Sequence, residues 1–497
     1  MLDSRDSGKK GWVTRIMGEE LLLNSYQSQS DHRVFPIQLT EHKHILMAVD
    51  GVLALIALLV GLWLGAQRSD WAFSLSLIVA YLPWFAGIIL LYFILATAND
   101  AYRPRVAADP AASLVAIIKT IAQIFLLYLL IYALLPPFSL PRHFIGFFAL
   151  ISPFLLMGWR RLYSLLFSMS AFQRRAIVVG AGWAGLTIVK TLNEWAPAHF
   201  GIVGFVDDDP LKQNTVVQGA SVLGPTTDLV QLAQNLQATD IVLAISRNVP
   251  GELLSRLMDC YEHGLRVSTM SDLYEHLTDR VPVEHVGDSW FVVLPFQHSG
   301  QNLSFRLFKR GLDVLTAAIG LTLFGVLLPA LALLIKLDSS GPVFYRQQRV
   351  GRAGKLFDLI KLRSMGADAE ADGQARWAEK YDVRVTRVGR LLRRTRLDEL
   401  PQLINVLRGE MSLVGPRPER PEFVTGLQAE IPFYRTRLTV KPGLTGWAQV
   451  NYDYGRNVTD ALEKLRYDLY YIKHQSVQLD FVILLKTIGT ILMMRGI

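Results

Sequence analysis

Two adjacent carboxylates, Asp398 and Glu399, sit among guanidiniums in Arg393-Arg394-Thr395-Arg396-Leu397-Asp398-Glu399-Leu400-Pro401, and Gly415-Pro416-Arg417-Pro418-Glu419 follows closely. Carboxylates beside cations suit phosphoryl chemistry. Asp398 can attack a phosphorus atom as nucleophile, while Glu399 can hold a divalent cation that neutralises phosphate oxygens. Neighbouring side chains need not point the same way, so separate roles suit the pair better than a shared proton. An Asp-Glu pair alone is weak evidence, since most are caps or surface residues; the arginines and an apolar segment upstream carry the argument. A short helix over 400–407 with Pro401 in its first turn is predicted directly after the pair, where an anion would meet unpaired backbone N–H groups.

More cations flank this pair. Lys361 and Arg363 alternate with Leu362 in an extended segment, which puts both charges on one face. Arg387, Arg390, Arg393 and Arg394 recur three or four apart and would line one side of a helix. Such a row reads either as a phosphate clamp or as a solvated helix lying on anionic headgroups, and both can hold at once. Arg417 stands between two prolines that restrict its backbone, so it loses less entropy on meeting a phosphate. Glu419 and Glu422 can orient basic groups or help hold metal, or can be surface residues. Lys441-Pro442-Gly443-Leu444-Thr445-Gly446-Trp447 is a second constrained loop, with Lys441 within reach of an anionic ligand and Trp447 an interfacial anchor or a core residue.

These residues need elements to hold them. Apolar runs over 45–64, 71–95, 114–135 and 144–157 read as four membrane spans, and the distribution of Arg and Lys keeps both ends of the bundle in the cytoplasm. Asp50 lies within the first span near its cytoplasmic end and is expected at headgroup level with no special role. From Arg175 a strand, the glycine run Gly180, Gly182 and Gly185, a helix and a second strand ending in Asp207-Asp208-Asp209 give a Rossmann-like pattern. These glycines are candidates for nucleotide binding. No Tyr-x-x-x-Lys pair, poised Cys or His cluster accompanies them, so a structural or regulatory domain is the stronger reading and no NAD is expected.

A fifth apolar segment, 312–337, carries Gly325 and Pro329 and is basic on both flanks. A simple crossing would put one basic flank outside, which a re-entrant helix avoids. Asp480 and Lys486 interrupt the apolar tail 477–494, which predicts an amphipathic helix in the membrane interface.

Over 497 residues with a net charge of +8, the chain is long enough for several domains and suits an anionic partner. Lipid headgroups, sugar nucleotides and polyprenyl phosphates fit the membrane spans; no nucleic acid is expected. Cys260 is the one cysteine, which excludes an intramolecular disulfide and a thiolate metal cluster. The fold expected is an α/β membrane protein. It comprises a cytoplasmic segment at 1–43, a four-helix transmembrane bundle at 44–170, a Rossmann-like domain at 171–298, and a mostly helical catalytic domain with a re-entrant membrane helix at 299–497.

The block 305–497 resembles the bacterial sugar transferase family, the polyprenyl-phosphate sugar-1-phosphate transferases. Five motifs in order carry the resemblance: Val343-Phe344-Tyr345-Arg346-Gln347-Gln348-Arg349-Val350-Gly351, Lys361-Leu362-Arg363-Ser364-Met365, Leu397-Asp398-Glu399-Leu400-Pro401-Gln402, Met411-Ser412-Leu413-Val414-Gly415-Pro416-Arg417-Pro418-Glu419, and Lys441–Trp447. The four spans and Rossmann-like insert resemble its larger members, which begin exopolysaccharide, capsule or O-antigen repeat units at the cytoplasmic face of the inner membrane.

The resemblance implies that Asp398 attacks the β-phosphate of a UDP-sugar and expels UMP. Undecaprenyl phosphate then takes the sugar phosphate from the aspartate. It assigns Mg2+ to Glu399, phosphate contacts to the neighbourhood of Arg393 and Arg417, and a less defined role to Asp480. The motifs do not fix the sugar: UDP-glucose is favoured over UDP-galactose, with N-acetylated and deoxy sugars left open. Separately, an extensive membrane bundle is compatible with a homodimer without fixing the oligomeric state. Direct transfer without a covalent step, an NAD-dependent sugar-nucleotide enzyme and a non-catalytic membrane regulator are the alternatives.

Overall fold

The computed structural model describes residues 39–492, apart from 69–71, 133–139, 168, 170–171, 246–248, 284–302, 367–381 and 453–456. The segment 1–38 and the domain boundary at 298/299 therefore lie outside the described residues.

Four long apolar helices make the bundle: α1 (Leu39–Arg68), α2 (Leu75–Ala98), α3 (Pro110–Ile131) and α4 (Arg142–Phe167). All are long and apolar enough to cross a membrane. α1 and α4 outrun their apolar windows by adding polar turns at their ends, whereas α2 and α3 are shifted against theirs. Leu62, Phe85, Tyr92, Ile117, Ile124 and Phe148 fill their common core. Asp50 is fully buried between the spans, accepting from Arg160 at 2.7 Å and from the Tyr92 hydroxyl at 3.0 Å, so it has a packing partner that its place in the first span did not announce. A charge is tolerated there because its counter-charge is buried with it.

The middle domain is a six-stranded sheet in the order β3-β4-β2-β1-β5-β6. Its strands are β1 (Arg174–Val179), β2 (Phe200–Val206), β3 (Val216–Val217), β4 (Ala220–Gly224), β5 (Asp240–Leu243) and β6 (Arg266–Thr269). Only the β3–β4 pair is antiparallel, as expected of a Rossmann-like sheet with helices on its faces. Helix α5 (Trp183–Trp195) follows the glycine run, and α6 (Met270–Thr278) follows β6 directly.

The last domain opens with α7 (Leu303–Asp338), a helix of 36 residues that runs unbroken through Gly325 and Pro329. Both of its ends are tied to elements of the same soluble domain. Near its start Arg310 donates to the carbonyls of Val406 and Leu407, each at 2.7 Å. At its end Asp338 accepts from the Val388 N–H at 2.8 Å. Leu315, Ile319, Leu323, Val326 and Leu334 remain exposed between these anchors, an apolar surface suited to lipid.

Behind α7 stand the antiparallel pair β7 (Phe344–Val350) and β8 (Leu356–Leu362), α8 (Arg387–Arg394) and α9 (Leu403–Arg408). The parallel pair β9 (Ser412–Val414) and β10 (Gly443–Thr445) and the helices α10 (Val458–Lys473) and α11 (Val477–Leu492) complete the domain. The middle domain docks firmly on it. Val281 and Val283 are buried in its core, and Glu275 of α6 pairs with Lys473 at 2.9 Å.

Candidate active site

Asp398 and Glu399 lie inside a 3-10 turn, Leu397–Gln402, which precedes α9. The expected helix over 400–407 is thus split. Pro401 falls within the 3-10 turn, and the regular helix begins at Leu403. Arg396 enters the turn in the left-handed conformation (φ 54°). Both carboxylates are buried.

Glu399 is the hub of the site. Its Oε1 accepts from Lys361 Nζ at 3.2 Å and from Arg417 at 2.8 Å, and its Oε2 accepts from Arg396 at 3.4 Å. Burial alone would raise its pKa, but Arg417, Lys361 and Arg396 outweigh it and hold Glu399 well below the usual carboxylate range. Asp398 behaves oppositely. Burial and the adjacent Glu399 charge raise its pKa, against Lys361, Arg393 and Arg417.

Arg417 reaches the site from a loop braced by glycines. A Cβ on Gly443 would sit 2.1 Å from the Gly415 nitrogen, and one on Gly446 would sit 2.2 Å from the Gly415 oxygen. These contacts lock β10 to the start of the Gly415-Pro416-Arg417-Pro418 loop. From behind, the buried Arg437 donates to the Arg417 carbonyl at 2.9 Å and to Asp468 at 2.9 Å. A small, open hollow beside the loop is lined by residues including Gly351, Pro416, Arg417, Glu419 and Arg437.

Of the residues singled out from the sequence, Lys361 and Arg417 contact Glu399, and Arg393 stands close enough to act on Asp398. Arg393 also donates to Ser364 at 2.9 Å. Arg363 continues the ladder past β8, its N–H donating to the Val343 carbonyl at 2.9 Å, but its guanidinium is engaged elsewhere. It caps α7 through the carbonyls of Ser339 and Ser340, each at 2.7 Å. Arg387 lies near Asp338 at the same helix end. Glu419 stands 3.9 Å from Arg349 and from Arg437. Lys441 sits by Arg310 and Asp313 near α9, where burial and Arg310 lower its pKa. Asp480 is buried against Lys309 and Tyr471 at the start of α7.

Three contributors were not singled out: Arg396, Arg437 and Asp468. Arg396 stands three residues before Glu399 and was readable as a helical-spacing partner. The Arg437–Asp468 pair joins residues 31 apart and left no local signal.

Among the described residues no group of three His, Cys, Asp or Glu side chains is gathered for a metal. The donors fit Mg2+ only in its usual enzyme mode, one or two carboxylates with water and substrate phosphates completing the shell. In the middle domain the glycines are placed as expected. Gly180 has a φ of 104°, and a Cβ on Gly185 would lie 2.0 Å from the Gly180 carbonyl oxygen. The acid at the end of β2 closes this loop on itself. Asp207 accepts from the Ala181 N–H at 2.7 Å and from Lys212 at 3.1 Å.

Residues 304–494 match the family described as bacterial sugar transferase, and residues 97–267 match a family described as CoA-binding domain. The chain is 40% identical over 296 residues to the UDP-N-acetylgalactosamine-undecaprenyl-phosphate N-acetylgalactosaminephosphotransferase of Aeromonas hydrophila, covering 59% of this chain and 67% of the relative. It is 35% identical over 324 residues to the undecaprenyl-phosphate glucose phosphotransferase of Komagataeibacter xylinus, covering 63% of this chain and 58% of the relative. The UDP-glucose:undecaprenyl-phosphate glucose-1-phosphate transferase of Klebsiella pneumoniae is 29% identical over 87% of this chain and 92% of the relative.

Proposed function

Because this chain belongs to the bacterial sugar transferase family, we propose that it transfers a sugar 1-phosphate from a UDP-sugar to undecaprenyl phosphate and releases UMP. The protein is a multi-pass inner-membrane protein with its soluble domains on the cytoplasmic side. The observation that carries the reading is the pairing of two buried acids in opposite electrostatic states. Glu399 is neutralised by Lys361, Arg396 and Arg417, and Asp398 stands beside it with no hydrogen bond to its carboxylate among the described residues.

In this mechanism an Asp398 carboxylate oxygen forms a bond to the β-phosphorus of the UDP-sugar. The bond from that phosphorus to the bridging oxygen breaks, and UMP leaves with the oxygen. An oxygen of undecaprenyl phosphate then attacks the same phosphorus, giving undecaprenyl-diphosphate-sugar and regenerating the carboxylate. Arg417 and Lys361 can turn from Glu399 toward the diphosphate as its charge arrives, since arginine and lysine stabilise developing phosphate charge. Bound Mg2+ would be held by Glu399 and would supply further charge neutralisation. The tying of both ends of α7 to one soluble domain supports a re-entrant course, which keeps the site at the membrane surface where the lipid phosphate lies.

Relatives named for N-acetylgalactosamine and for glucose both resemble the chain, so a donor panel starts from UDP-N-acetylgalactosamine and UDP-glucose. The test is UMP release by detergent-solubilised protein with Mg2+ and undecaprenyl phosphate, wild type against Asp398→Ala. Release confined to one donor and lost in the variant is expected, and undiminished release by Asp398→Ala would remove the nucleophile. A sugar-phosphate mass adduct on the peptide carrying Asp398, captured by acid quench without lipid acceptor, separates covalent from direct transfer.

A further inference from the structure

Three parts of the chain meet at a point that the proposed chemistry does not use. The turn after α2 presents Asp100, whose two oxygens each accept from Lys486 of α11 at 2.8 Å. Arg103 in the same turn lies 3.0 Å from Asp100 and 2.8 Å from Asp279, at the end of α6. The Trp447 indole N–H donates to the Asp279 carbonyl at 3.1 Å. Both cations stand over its ring, Lys486 at 5.1 Å and Arg103 at 5.9 Å from the centroid. Bundle, middle domain and last domain thus share one cluster, in which the Lys486 side chain is only 8% exposed.

The turn is itself anchored. Asn99 donates to Thr120 at 2.9 Å and to Gln123 at 2.7 Å. Tyr102 is buried against Arg160, the partner of Asp50. Asp100 is therefore presented from a fixed base.

A short route leads from this junction to Glu399. Thr487, next to Lys486, bonds Thr445 of β10 at 2.6 Å between hydroxyls. The Thr445 carbonyl accepts from the Gly415 N–H at 2.9 Å. Two residues further on, Arg417 reaches Glu399 at 2.8 Å. The close glycine contacts between β10 and Gly415 leave no room for one to slide past the other.

We propose that Asp100 and Lys486 are positioning residues for the transfer reaction. The bundle turn seats α11, α11 seats β10, and β10 sets where Arg417 meets Glu399. The N-terminal module then contributes to active-site geometry as well as to anchoring. This inference rests on the reading of Glu399 and Arg417 as the reaction site.

Full-length wild type, Asp100→Asn, Lys486→Met and Lys486→Arg in nanodiscs provide the test. Asp100→Asn and Lys486→Met are each expected to lower kcat for UMP release about tenfold, with KM for the UDP-sugar little changed and Lys486→Arg close to wild type, since small misplacements of a catalytic group cost rate. Combined with Arg417→Lys, Asp100→Asn should add almost nothing, because both act through one contact. Wild-type kcat in both single variants, or fully multiplicative losses in the combination, would overturn the proposal. Hydrogen exchange over 412–417 gives a readout that needs no activity. Faster exchange in Asp100→Asn is expected, and unchanged exchange would sink the inference even if wild type released no UMP, an outcome that by itself counts against the site reading. Asp100→Asn preserves volume and carries the test should Lys486→Met fail to fold.

Discussion

Arg437 donates to the backbone carbonyl of Arg417 at 2.9 Å, so one buried arginine fixes the chain of another whose guanidinium reaches Glu399. The same Arg437 nitrogen holds Asp468 at 2.9 Å, and both side chains are almost fully enclosed. The pair is one unit: neither charge can be removed without stranding the other in a medium of low polarity.

Replacing Arg437 by Met should therefore destabilise the last domain by about 3–5 kcal/mol and lower UMP release with it. Burial already pushes Asp468 up to about 6, against the lowering effect of Arg437. A carboxyl raised in the folded state binds a proton there that the unfolded chain has released, so its contribution to stability declines as pH rises from about 4 through about 6. Without Arg437 the shift grows. The loss of thermal stability in Arg437→Met should be larger at pH 8 than at pH 5, and an equal loss at both would show that the Asp468 charge is not what is stranded.

Lys361 and Arg363 are two residues apart and face different tasks. Lys361→Ala removes a cation from Glu399, and the expected result is a fall in kcat/KM on the order of 100-fold with a modest change in unfolding temperature. Arg363→Ala uncaps α7, and a loss of about 1–3 kcal/mol in stability is expected with KM for the UDP-sugar unchanged. Kinetics and thermal melts on the two variants check both expectations. A large KM increase in Arg363→Ala would restore it to the phosphate-binding set.

The contrast between these two residues shows what was legible in the sequence. The four spans, the βαβ pattern and the long apolar helix are local signals of hydropathy and period, and each was found near its observed place. The acidic pair and Arg417 were legible because rigid turn chemistry and charge mark them. Arg363 keeps the backbone pairing of the strand, but alternation says nothing of the Ser339 and Ser340 carbonyls that engage its guanidinium. The Asp50–Arg160 pair was not legible because the two residues are 110 apart, on different spans. The Arg437–Asp468 brace and the Asp100–Lys486 contact are likewise products of tertiary packing. No local pattern reports them.

The crowding of Glu399 makes the proposed Mg2+ dependence open to a direct test. Three cations already satisfy its oxygens, so Mg2+ binding there must compete with Arg417 and Lys361 until the diphosphate draws them away. Chelation should abolish UMP release and added Mg2+ restore it. Glu399→Gln should raise the Mg2+ concentration for half-maximal rate by about 10–100-fold. A titration of rate against Mg2+ on both proteins checks this, and an unchanged Mg2+ requirement in the variant would remove Glu399 as the ligand.

The pH profile separates the two acids. A nucleophilic Asp398 works only when ionised, and its pKa is raised first by burial and then by the Glu399 charge, while Lys361, Arg393 and Arg417 pull it down. Glu399 itself stays ionised throughout the working range, because its pKa lies well below the ordinary one. The acid limb of kcat/KM in wild type should therefore lie above the ordinary carboxylate range and carry the ionisation of Asp398 rather than of Glu399. Glu399→Gln removes the like charge and leaves the cations, so ionisation of Asp398 becomes easier and the acid limb should move to lower pH even as the maximal rate falls. Rate profiles of wild type and Glu399→Gln at saturating Mg2+ give the comparison. A limb that moves upward would mean that the acid being titrated is not the neighbour of Glu399.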